Sequence, residues 1–129
     1  MSEAQIGIRI SDGRSHLVLI PAGKPQIGWP TRIELSSGFF SAAVEAEMLF
    51  VPFRNSLVAL HQTMQGEARL VCLDEGHFVK ITSAKFGHMQ LVAEVTDGRA
   101  PAAARLIVTM NIDQTYLPAI IAGIDRYFP

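Results

Sequence analysis

The stretch that decides the fold runs from Gly87 to Leu117 and reads GHMQLVAEVTDGRAPAAARLIVTMNIDQTYL. Apolar and polar residues alternate in both halves of it, which is the pattern of strands with one buried face. Asp97-Gly98 lies between the halves and signals a turn, so the halves should form an antiparallel hairpin. The expected register places Met89, Leu91, Ala93 and Val95 opposite Ile112, Met110, Val108 and Leu106.

Two earlier strands should extend this hairpin. Lys85-Phe86-Gly87 suits a three-residue loop with the glycine left-handed, which pairs Ile81 with Leu91. Glu75-Gly76 suits a two-residue turn, which pairs Leu70 with Ile81. Both registers direct apolar side chains to one face, and a slip of one residue would reverse them all. We therefore predict a four-stranded antiparallel meander.

The N-terminal half shows the same alternation. Residues 5–11 and 15–20 should pair around a turn at Asp12-Gly13. A strand containing Ile33 and Leu35 and a strand over 40–48 should form a second hairpin. The segment from Pro21 to Pro30 is rich in proline and glycine, so we predict an irregular connection. Its Trp29 could cover an edge of the core or contact a partner, and we expect the first.

Two segments have helical periodicity. Phe50, Phe53, Leu57, Leu60 and Met64 are three or four residues apart and predict a helix over about 50–64, which Gly66 can end. A second helix over about 115–128 should begin at an N-cap provided by Asp113 or Thr115. No internal repeat is evident in the sequence. We predict one α+β domain over 1–129, an antiparallel sheet of about seven or eight strands with both helices on its apolar face.

Composition excludes several kinds of partner. Eleven basic and twelve acidic residues give a formal net charge of -1, and the basic residues are scattered, so a nucleic-acid interface is not expected. The most apolar stretch, 39–53, contains Glu45 and Glu47, which argues against a membrane span. The N-terminus lacks a signal-peptide pattern, and the lone Cys72 cannot form an internal disulfide. We expect a soluble, cytoplasmic protein.

One polar pair follows from the predicted register. His88 falls opposite Asp113, and Gln90 falls opposite Asn111, on the face away from the core. A carboxylate beside an imidazole is half of an acid-base catalytic arrangement, and with Tyr116 these residues would line a pocket. The sequence offers no activated nucleophile to complete it. We therefore expect His88 and Asp113 to be structural and leave them as candidate catalytic residues only.

Neither a metal site nor a cofactor site is expected. The four histidines are dispersed, and no His-x-His or Cys-x-x-Cys spacing brings two ligands together. His77 should lie across the turn from Asp74, in solvent. No glycine-rich loop joins a strand to a helix, so phosphate and dinucleotide sites are not indicated.

The outer face of the meander, opposite the core, is the better candidate for binding. Charged and polar side chains alternate there with apolar ones, a mixture typical of protein interfaces, unless the N-terminal strands cover it. The polar members are Arg69, Lys80, Thr82, Gln90, Glu94, Thr109 and Asn111, and the apolar members are Val71, Phe78, Val92 and Ile107. We call this set the outer face.

Three short segments carry a resemblance to a known group. Gly66-Glu67-Ala68-Arg69-Leu70 follows a helix, Gly87-His88 opens a strand, and Asp113-Gln114-Thr115-Tyr116-Leu117 opens the last helix. Together they resemble a group of small bacterial proteins that includes the WapI-type immunity proteins, over about half of the chain. The resemblance implies a protein that binds and blocks a partner toxin domain, without catalysis.

Three functional hypotheses remain open on the sequence. The first is a non-enzymatic binding protein that uses the outer face or an exposed edge strand. The second is a small enzyme or ligand-binding protein that uses His88 and Asp113. The third, compatible with both, is a homodimer formed through edge strands.

Overall fold

Four strands followed by a helix occur twice along the chain. A computed structural model describes residues 6–74, 76–97 and 104–129, and in these ranges there are eight strands and two α-helices. The first set is β1 (Ile8–Ser11), β2 (Ser15–Pro21), β3 (Trp29–Ser37), β4 (Phe40–Met48) and α1 (Phe50–Thr63). The second is β5 (Glu67–Val71), β6 (Phe78–Ser83), β7 (His88–Thr96), β8 (Arg105–Asp113) and α2 (Tyr116–Tyr127). This repeated order of elements leaves no trace in the sequence.

Each set of strands forms its own antiparallel meander, in the orders β1-β2-β3-β4 and β5-β6-β7-β8. The predicted α+β class is confirmed, with the strands divided between two four-stranded sheets. Both N-terminal hairpins form as predicted. Strand β3 begins earlier than expected, at Trp29, because the Pro30 carbonyl accepts a hydrogen bond from the Ala22 N–H at 2.8 Å and so continues the pairing with β2. The irregular connection is therefore shorter than predicted.

The registers of the C-terminal sheet are confirmed for β6 with β7 and for β7 with β8. The register of β5 with β6 is wrong by two residues, since Leu70 lies opposite Val79 and not Ile81. A shift of two keeps every side chain on its predicted face. Of the predicted turn and strand-end residues, Glu75, Gly98 and Gln5 lie outside the described residues.

The cause of this shift is a contact between the two halves. After β5 the chain no longer pairs with β6. It pairs instead with the end of β4, where Met48 and Cys72 form an isolated antiparallel β-bridge. The Leu73 N–H donates to the Glu47 carbonyl at 2.8 Å, and the Leu49 N–H donates to the Val71 carbonyl at 2.9 Å. Residues near 72 are thus used for pairing between sheets, and the connection to β6 is longer than a two-residue turn.

The apolar faces of both sheets and both helices contribute to one buried cluster. Helix α1 buries Phe50, Phe53, Leu57 and Leu60, and α2 buries Leu117, Ile120 and Ile124. Both helices lie within a residue of their predicted bounds. Helix α1 ends at Thr63, because Met64, two residues before the expected glycine, adopts the left-handed conformation at φ 59°. Cys72 is buried as a free thiol.

An aromatic cluster closes one end of the core. The Phe50 and Phe128 rings stack with centroids 3.9 Å apart, and Trp29 meets Phe128 edge to face at 5.7 Å. The Trp29 indole N–H donates to the Pro129 carbonyl at 3.3 Å. Trp29 therefore covers an edge of the core, as predicted. Within the described ranges, neither helix has the length and apolar content needed to span a bilayer.

Candidate functional site

His88 and Asp113 lie directly opposite each other at one end of the C-terminal sheet, as the register predicted. Both side chains are exposed, and no hydrogen bond joins them among the described contacts. Instead, an Asp113 carboxylate oxygen accepts hydrogen bonds from the Thr115 N–H, at 2.8 Å, and from the Thr115 hydroxyl. The carboxylate is therefore held by the turn that leads into α2.

The electrostatics of Asp113 agree with this structural role. Its pKa is lowered mainly by the two hydrogen bonds from Thr115, and the neighbouring His88 lowers the pKa further by charge attraction. Thr115 is the N-cap residue of α2 but makes no side-chain capping bond to the helix. Asp113 thus orders the residues before the helix.

A shallow cavity of about 440 Å³ lies beside His88. Its lining brings together three of the predicted polar residues, His88, Gln90 and Asn111, with Thr82 and Ser83. The Ser83 hydroxyl accepts a hydrogen bond from the Gly66 N–H at 3.0 Å, so that oxygen helps to close the α1–β5 connection. None of the contacts described around this cavity activates a nucleophile.

Tyr116 does not belong to this cavity. Its hydroxyl donates to the Ser11 carbonyl at 3.0 Å, which ties the start of α2 to β1 in the other sheet. The predicted polar set is therefore divided: His88, Gln90 and Asn111 lie together, Asp113 lies beside them in its turn, and Tyr116 faces elsewhere. Among the described residues, no group of three or more metal-ligating side chains occurs.

The outer face of the C-terminal sheet is not covered by the N-terminal strands, which form the second sheet on the other side of the core. Its four strands place the side chains in rows. One row runs Arg69, Lys80, Val92, Thr109, and the next runs Val71, Phe78, Glu94, Ile107. Ile107 is 53% exposed and most of the polar members are exposed.

Arg69 and Lys80, both predicted binding residues, lie side by side on this face, Arg69 on the edge strand β5 and Lys80 on β6. The Arg69 guanidinium carbon lies over the Phe78 ring, 5.3 Å from its centroid, within the range of a cation–π contact. Glu67 lies 3.9 Å from Arg69. Lys80 forms no ion pair within the described part of the chain.

The sequence missed two features. His77 was expected in solvent, but only 8% of it is exposed, and its Nδ1 accepts a hydrogen bond from the Thr96 N–H at 3.2 Å. Burial lowers the pKa of His77, against a weaker opposite effect of Glu94. A second cavity, of about 540 Å³, lies over the N-terminal sheet beside Arg9, His16 and Glu34. The small residues Ser36, Ser41 and Ala43 on adjacent strands were the only sequence signal for it.

Comparison with known proteins adds no further information about this site. No family model, no curated protein and no solved structure matches the chain.

Proposed function

We propose that this chain is a non-enzymatic protein-binding module, an immunity protein that neutralises a partner toxin domain in the cytoplasm. The observation that carries the proposal is the exposed outer face, with the Arg69 guanidinium over the Phe78 ring and Lys80 beside them. The resemblance to WapI-type immunity proteins covers the part of the chain that contains this face. The buried, unpaired Cys72 thiol is compatible with a reducing compartment.

The dimensions of the outer face suit a protein partner. Four strands about 4.8 Å apart, with five to nine residues each, give a surface of roughly 20 by 25 Å. A standard interface buries about 800 Å² of accessible surface on each partner. The outer face supplies most of this area, and the surrounding loops would supply the remainder.

The side chains of the outer face include residue types that are common at the centre of protein interfaces. Arginine and aromatic residues dominate the binding energy of protein interfaces, and Arg69 on Phe78 combines the two. Lys80 is half-buried and forms no ion pair with a described carboxylate, so a partner that brings an acidic group to this point would gain a charge-assisted hydrogen bond. Because the chain carries a net charge of only -1, we expect short-range complementarity to matter more than long-range steering.

The test begins with the genes beside this one. If they encode a polymorphic toxin, its C-terminal domain should be co-expressed with this chain, and both growth rescue and binding affinity should be measured. The charge reversal Arg69→Glu should weaken the complex by about thirtyfold or more, the effect typical of a hot-spot residue. Arg9→Glu makes the same change at an exposed position of the other sheet and serves as the matched control.

Full protection and unchanged affinity with Arg69→Glu would refute the use of this face. Absence of a toxin gene nearby, together with no binding of such domains, would refute the immunity role.

The alternative function is a small enzyme or ligand-binding protein at the His88 cavity. The shared lining of His88, Gln90 and Asn111 favours it, whereas the commitment of Asp113 to Thr115 opposes it. Under this alternative, His88→Ala should abolish turnover or small-molecule binding, while Arg69→Glu should change neither. Loss of toxin binding with Arg69→Glu and not with His88→Ala would support the protein-binding role.

A further inference from the structure

Among the described residues, strand β4 has a partner strand along one edge only. Strand β3 pairs with it along its whole length, Phe40–Met48. On the other side, the described residues bond only to its end, where the Glu47 carbonyl accepts the Leu73 N–H. Over the span Phe40–Ala46, therefore, no described strand is bonded to this edge.

This edge lacks the usual features that prevent pairing. Edge strands of monomeric proteins are commonly blocked by a lysine, a proline or a bulge, and Phe40–Ala46 contains none of these. Its one charged residue is Glu45. A cavity of about 380 Å³ runs beside it, with Val44 and Leu106 in its lining. At the adjoining hairpin, Phe39 is fully exposed and Phe40 is 71% exposed.

The directions of the backbone groups on this edge follow from the bonds at the end of β4. The Glu47 carbonyl and the Leu49 N–H both point away from β3, since both bond to the segment after β5. Along an extended strand the N–H and C=O of one residue point to the same edge, and this direction alternates with each residue. Ser41, Ala43 and Glu45 therefore direct their backbone groups to the open edge.

We propose that a second copy of this chain pairs with this edge, so that two β4 strands run antiparallel about a two-fold axis at Ala43. Ala43 is the midpoint of the open span and would face its own counterpart, while Ser41 would face Glu45. This register forms about six hydrogen bonds between the strands. Moving the axis to Ala42 or Val44 leaves about four, because Phe39 lies in the turn and the Glu47 carbonyl is already bonded.

The side chains are self-complementary in the same register. On the inner side Phe40 faces Ala46, a large residue against a small one, and Ala42 faces Val44. On the outer side Glu45 faces Ser41, so no like charges lie opposite each other. The strand is thus complementary to itself, which favours a second copy of this chain as the occupant.

The interface would be small. An open edge of seven residues is about 24 Å long, and with the exposed phenylalanines of both copies it would bury about 1,000 Å² in total. This lies at the lower end of specific interfaces, so we expect a dissociation constant on the order of 10 to 100 µM. The pairing uses no residue of the outer face, and the dimer would present two outer faces.

Sedimentation velocity over a concentration series tests the dimer. The wild type should shift from monomer to dimer, and Ala43→Lys, which places two ammonium groups opposite each other at the axis, should raise the dissociation constant by about tenfold or more. Thr109→Lys adds the same charge to β8, the edge strand of the other sheet, and should leave the dissociation constant of the dimer unchanged. A wild type that is monomeric up to about 1 mM would overturn the proposal, because that concentration is well above the expected dissociation constant. So would a dimer that Ala43→Lys leaves intact, or one that Thr109→Lys disrupts.

A disulfide tests the register without depending on affinity. Directly opposed residues of a hydrogen-bonded antiparallel pair have Cα atoms about 5.5 Å apart, within the range that a disulfide spans. In a Cys72→Ala background, Ala43→Cys should give a covalent dimer on a non-reducing gel after mild oxidation, and Thr109→Cys should not. A covalent dimer with Thr109→Cys and none with Ala43→Cys would refute the β4 pairing.

Discussion

Gly123 of α2 lies against Ile8 of β1, and this contact makes the effect of Gly123→Ala unusual. Alanine in place of glycine within a helix normally stabilises a protein by about 1 kcal/mol. Here the new Cβ would lie 2.8 Å from Ile8 Cγ1 and 3.4 Å from Ile8 Cδ1. Ile8 is only 5% exposed, so its side chain has little room to move.

Overpacking of a buried site costs about 1 to 3 kcal/mol. After subtraction of the helix-propensity gain, Gly123→Ala should lower the free energy of unfolding by about 0 to 2 kcal/mol. In an Ile8→Ala background the nearest remaining atom is the residue 8 Cβ at 3.7 Å, an ordinary contact. There the same substitution should raise the free energy of unfolding by about 1 kcal/mol.

Urea unfolding followed by circular dichroism, on the wild type, both single variants and the double variant, measures this change of sign as a coupling energy. Equal stabilisation by Gly123→Ala in both backgrounds would show that α2 does not pack on β1 through this contact.

Two further predictions concern local features. Burial places the pKa of His77 below its ordinary value of 6.5, so on acidification the unfolded chain binds the additional proton before the folded chain does. The stability of the fold should therefore be full above about pH 6.5 and should decline as the pH falls toward the pKa of His77 in the folded state. Denaturant titrations from pH 8 to pH 5 should show this decline. The variant His77→Asn keeps an acceptor for the Thr96 N–H but does not titrate, so it should reduce the decline. If the pH dependence of stability is unchanged in His77→Asn, His77 is not its cause. Phe86 has φ 61° and is 93% exposed, so Phe86→Asn should raise the free energy of unfolding by up to about 1 kcal/mol, because asparagine tolerates the left-handed region and little buried surface is lost. A lower thermal midpoint for Phe86→Asn would mean that the ring makes contacts that its exposure does not suggest.

The parts of the fold that the sequence predicted are those fixed by local rules. Gly87 located the loop before β7 in the sequence. The alternation of apolar and polar residues then predicted the register of β7 with β8, including His88 opposite Asp113. The periodicity of Phe50 to Leu60 likewise located α1. Turn chemistry and side-chain period act over a few residues, so they can be read without knowledge of the rest of the chain.

What the sequence missed depends on contacts between distant segments. The bridge of Met48 to Cys72 displaced the register of β5, and no local pattern signals a bond between two halves. Tyr116 left the predicted polar set because α2 packs against β1, which places its hydroxyl on the Ser11 carbonyl. The burial of His77 has the same origin, since it follows from the lengthened connection after β5.

Two backbone hydrogen bonds join the ends of a stretch of chain that contains all of α1 and β5. One links Glu47 with Leu73, and the other links Leu49 with Val71. The two sheets are therefore fastened at a point in the middle of the chain, and they cannot separate there unless both bonds open together. In hydrogen exchange, the amides of Leu49 and Leu73 should therefore exchange with the same opening free energy. The two halves repeat the same order of elements, yet these two backbone bonds join them into one cooperative unit.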